Sequence, residues 1–62
     1  MNELLVSVIE FNLRRFNHLP TNKEKAAEIY WVCITGGGTE TCNLLTHYTD
    51  LEQEIFNYLE GL

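Results

Sequence analysis

His18, Cys33, Cys42 and His47 are the side chains in this 62-residue sequence best suited to chemistry. In type and number they match a tetrahedral zinc site built from thiolates and imidazoles. Their spacing does not match, because structural zinc sites pair their ligands roughly two to four residues apart and no two of these lie that close. A cysteine nucleophile needs a thiol of lowered pKa, a base, and a group that orients the base. His47 follows Cys42 at a distance that a helix does not bring face to face, and Cys33 stands among bulky apolar residues. Two cysteines are too few for a disulfide framework, and a reducing compartment disfavours a Cys33–Cys42 bridge. No metal, cofactor or enzymatic activity is expected.

Two other motifs are weighed in the same way. The run Thr35-Gly36-Gly37-Gly38-Thr39 has the glycines of a phosphate cradle at a helix N-terminus. It lacks the lysine of a P-loop and the spacing of a dinucleotide fingerprint, and Glu40 would repel a phosphate. A helix stop, with glycine in left-handed geometry, is the expectation. Helix-turn-helix binding of DNA requires a basic recognition helix. All four basic residues (Arg14, Arg15, Lys23 and Lys25) fall instead in the first 25 positions, around the first connection. Residues 26–62 hold Glu28, Glu40, Asp50, Glu52, Glu54 and Glu60 and no lysine or arginine. The net charge is −5, and the negative half repels nucleic acid and favours basic partners. A sharper variant is mimicry of DNA by this acidic half, although mimics usually carry denser charge than six acids in 37 residues.

The elements that position these residues follow from the spacing of apolar side chains. Residues 2–18 place Leu5, Val8, Ile9 and Phe16 at helical intervals, widened by Leu4, Phe11 and Leu13. Asn2 is the expected N-cap, Arg14 and Arg15 complement the carbonyl end, and Pro20 forbids continuation. Thr21-Asn22-Lys23-Glu24 fits a capping box and opens a second helix. That helix is apolar on two sides: Ala26, Ile29, Tyr30 and Cys33 on one, Ala27, Trp31 and Ile34 on the other. The rival is a strand through Ile29–Thr35 that turns at Gly36–Gly38 into a hairpin, giving an α+β fold. Thr39 can cap the next segment, where Leu44, Leu45, Tyr48, Leu51, Ile55, Phe56, Leu59 and Leu62 recur at helical spacing. A second capping box at Thr49-Asp50-Leu51-Glu52 predicts a break there, with a last helix near 50–60 ended by Gly61.

The expected fold is therefore all-α, a single domain over residues 1–62 made of three to four short helices. Leu4–Ile9 is bracketed by Glu3 and Glu10 rather than preceded by basic residues, so a signal peptide is not expected. No run is long enough to span a membrane, and a cytoplasmic location follows as the expectation. Large apolar residues outnumber the places on the inward stripes, and surplus apolar surface on a small domain marks an interface. The expected function is a small acidic protein-interaction module, a regulator or inhibitor that covers a surface on a larger protein. Chains of this kind are common among phages and mobile elements. The residues expected to meet a partner are Phe11, Tyr30, Trp31, Asp50, Glu52 and Glu54. The alternatives are a self-assembling helical homodimer with a structural role, and a small DNA-binding or zinc domain.

Overall fold

A computed structural model of the chain describes residues 3–36 and 39–62, with the side chains of all of these except 39–42. Among the described residues four helices follow one another: α1 (Glu3–Phe16), α2 (Asn22–Gly36), α3 (Thr39–His47) and α4 (Leu51–Glu60). The all-α expectation holds. The hairpin alternative does not, because Ile29 to Gly36 is helical throughout and no strand occurs among the described residues. Ala26, Ile29 and Cys33, at spacings of three and four, all go into the core, which a strand could not achieve.

Local grammar sets the helix boundaries. The amide of Glu24 donates to Thr21 Oγ1 at 3.2 Å, so Thr21 caps α2 as its motif predicts. The cap of α4 is Asp50, one residue later than the motif at Thr49 suggests: its carboxylate accepts from the amide of Gln53 at 3.1 Å. Aspartate is the stronger cap, and as an anion it also opposes the positive helix end. Gly61 closes α4 by donating to the carbonyls of Asn57 and Tyr58. Neither Gly61 nor Gly36 uses a positive φ, so the left-handed glycine stop expected after α2 is not made by Gly36, the last residue of that helix. Gly37, Gly38 and the expected cap Asn2 lie outside the described residues, as does the side chain of Thr39.

The core is Leu5 and Ile9 from α1, Ala26, Ile29 and Cys33 from α2, Leu44 from α3, and Leu51, Ile55 and Leu59 from α4. Helix α2 packs against all three others, most extensively against α4. Two polar ties reinforce that arrangement. Asn22 Nδ2, at the start of α2, donates to Glu60 Oε2 at 2.6 Å and to the Leu59 carbonyl at 3.4 Å, serving the open carbonyl end of α4. Tyr58 donates its hydroxyl to Glu10 Oε1 at 3.2 Å, linking α4 to α1. The radius of gyration, 10.5 Å, equals the ~10.6 Å typical of a folded chain this long. The chain is thus as compact as a folded domain of its length, with several large apolar side chains left at its surface.

Candidate functional site

The first turn of α4 carries Asp50 as cap and Glu52 behind it, where the helix dipole favours carboxylates. One turn after Glu52 comes Phe56, on the same flank of the helix and half-buried against the core. This flank lies across from the first half of α2, which contributes Lys23 and Ala26. Together with Gln53 these residues line a cleft of about 250 Å³. Small-molecule and cofactor sites usually start near 300 Å³, so this one suits a single long side chain better than a cofactor. It has an apolar floor, two carboxylates and one ammonium group.

The residues predicted to meet a partner do not form one patch. Asp50 and Glu52 line the cleft. Glu54, two positions on, is turned by about 200° around the helix and stands on the opposite flank. Phe11 on α1 and Trp31 on α2 are 73 % and 59 % exposed, each on the outside of its helix. Ile34, at 44 %, continues the outer face of α2. Tyr30 is half-buried and packs against the core, so it supports the fold. Charge alone did not point to Phe56, Gln53, Ala26 and Lys23; the four-residue step from Glu52 to Phe56 was the available signal.

The chemistry-bearing side chains are dispersed as well. His18 is exposed in the α1–α2 connection, and His47 is exposed at the end of α3 with its ring edge-on to Tyr48 at 5.2 Å. The side chain of Cys42 lies outside the described residues. Among the described residues no three His, Cys, Asp or Glu side chains gather as a metal site would require, and no helix is long and apolar enough to cross a membrane. Cys33 is a free, buried thiol, and burial pushes its pKa up from 9.0, the reverse of what a nucleophile needs.

No protein-family model, curated protein or solved structure matches this chain.

The buried thiol makes one measurable prediction. In the unfolded chain Cys33 ionises near 9.0, and in the fold only at higher pH. Between those two values the unfolded state has shed a proton that the folded state keeps, so stability falls as pH rises. The slope reaches about 1.4 kcal/mol per pH unit at most, and it fades as pH falls well below 9.0. Tyr58, whose hydroxyl is also pushed up by desolvation and by the Glu10 carboxylate, adds to the alkaline loss in any variant that keeps it. Urea unfolding of the wild type and Cys33→Ala across the alkaline range isolates the thiol: the wild type loses stability more steeply. Parallel curves would mean that Cys33 is not desolvated.

Proposed function

We propose that this chain is a small acidic protein-interaction module that regulates or inhibits a larger protein by seating one of that protein's basic side chains in the cleft between α2 and α4. The observation that carries this reading is the lining of the cleft, where Asp50 and Glu52 stand beside Phe56. Carboxylates pair with a guanidinium or ammonium group, and an aromatic face attracts the same cation. The lack of any lysine or arginine after residue 25 leaves the α4 side of the cleft with the sign that attracts such a partner. Lys23, on the α2 rim, directs the entering cation toward the α4 side. In this reading the module works by occupation, with no reaction of its own, in the cytoplasm, where Cys33 stays reduced.

The test is affinity capture with the immobilised chain and with an Asp50→Asn/Glu52→Gln variant. Asparagine caps a helix as well as aspartate does, so the variant removes charge and keeps α4. The wild type is expected to retain a partner in stoichiometric amount, with affinity that falls as salt rises. The variant is expected to bind it about tenfold or more weakly, as losing close charge pairs implies. Equal retention by both baits, or no stoichiometric partner, would refute the proposal.

A further inference from the structure

The lining of the cleft between α2 and α4 is rich in hydrogen-bond acceptors. Asp50 Oδ1 is taken by the amide of Gln53 at 3.1 Å, which leaves Oδ2. Gln53 gives its Nε2 to Asn57 Oδ1 at 2.9 Å, which leaves Oε1 to accept. Among the described residues the Glu52 carboxylate meets no donor, and Lys23 pairs with neither acid. The cleft thus offers Asp50 Oδ2, both Glu52 oxygens and Gln53 Oε1 around a floor of Phe56 and Ala26. We infer, on the reading that this cleft seats a basic side chain of a partner protein, that it selects arginine over lysine.

The preference follows from the shapes of the two cations. A lysine ammonium carries three donors at the tip of a thin chain, whereas an arginine guanidinium carries five in one plane and has a flat face. Laid flat on the Phe56 ring, a guanidinium keeps its cation–π contact while its N–H groups point outward in its own plane, toward acceptors at the edge of the floor. An ammonium has no flat face for the ring and too few donors for this set of oxygens, so it leaves more of them to water. It is also the more strongly hydrated ion and loses more on entering. Lys23 and the amide end of α4 oppose either cation. They lower affinity without choosing between the two, so the choice belongs to Phe56 and the acceptors.

The test is a nuclear magnetic resonance titration of the full, isotope-labelled chain with two blocked glycine peptides, one with a single central arginine and one with a single central lysine. The peptides match in length and charge, so general attraction to an acidic chain cancels between them. The arginine peptide is expected to shift the amide signals of Ala26, Gln53 and Phe56, with half-saturation at a concentration about three- to tenfold lower than the lysine peptide needs. Phe56→Leu keeps the floor apolar but removes the ring, and should bring the two peptides to about equal affinity. Gln53→Met, at an exposed position, removes one acceptor without touching the core and should narrow the gap, which keeps a second readout if the leucine variant folds poorly. Equal half-saturation, or a preference for lysine, overturns the selectivity and leaves the basic-side-chain reading standing. No shift at these residues with either peptide overturns both. A preference that survives the two substitutions unchanged also overturns the inference, because its source then lies outside the cleft.

Discussion

Replacing Ile29 with alanine is expected to lower the free energy of unfolding by about 2–5 kcal/mol. Ile29 is fully buried on the helix that packs most extensively against the others. Its removal takes away apolar contact and leaves a cavity that three neighbouring helices cannot close together. A domain of this length has a total stability of about 3–9 kcal/mol, so the loss amounts to a large share or all of it. The control is Ile34→Ala, five residues on in the same helix, where the side chain is 44 % exposed. That change should cost well under about 1 kcal/mol, within the range of surface substitutions. Urea titrations followed by far-ultraviolet circular dichroism compare the two. Equal losses would mean that α2 does not turn its Ala26–Ile29–Cys33 side inward.

The direction in which α2 faces is the feature that its pattern of apolar residues left open. Both its sides are apolar at helical spacing, and on size alone Trp31 would be the natural core residue. The structure turns the smaller side chains Ala26 and Cys33 inward, with Ile29, and leaves Trp31 in solvent. The inward side of a helix that packs on several neighbours has to let their backbones approach, and small residues allow that. Hydropathy does not encode how many neighbours a helix has. Helices α1 and α4 each carry one dominant apolar stripe and were legible: Leu5 and Ile9, and Leu51, Ile55 and Leu59, lie where their spacing puts them. The cleft was half legible. The acidic character of Asp50 and Glu52 is plain in the sequence, but Lys23 and Ala26 reach them from another helix through a tertiary contact that no local spacing reports. Glu54 shows the limit of counting charges, since helical rotation separates it from Glu52.

A buried polar position that the apolar pattern does not single out carries the other large expected effect. The buried stripe of α1 runs Leu5, Ile9, Asn12, with intervals of four and three, and its third place is polar. Phe11, its large apolar neighbour, faces out. Asn12 is only 5 % exposed. Its Nδ2 donates to the Val8 carbonyl at 2.9 Å, while its Oδ1 meets no donor. An unpaired buried acceptor costs about 1–3 kcal/mol. Leucine is close to asparagine in length, extends the apolar stripe and has no polar group to satisfy. Asn12→Leu is therefore expected to raise stability by about 1–3 kcal/mol. In a domain this small each kcal/mol corresponds to about 4–8 °C in melting temperature. Asn12→Asp keeps the shape, loses the donor and puts a carboxylate among apolar side chains, so it should lower the melting temperature at neutral pH and recover part of the loss in acid, where the group is neutral. If leucine destabilises the fold, Oδ1 is satisfied after all, and the asparagine belongs to a polar network that helps hold α1 in place. If leucine stabilises it, the chain carries a polar core residue at a cost in stability, and the remaining question is one of specificity: whether the leucine variant still packs α1 in a single register, which the sharpness of its amide spectrum would report.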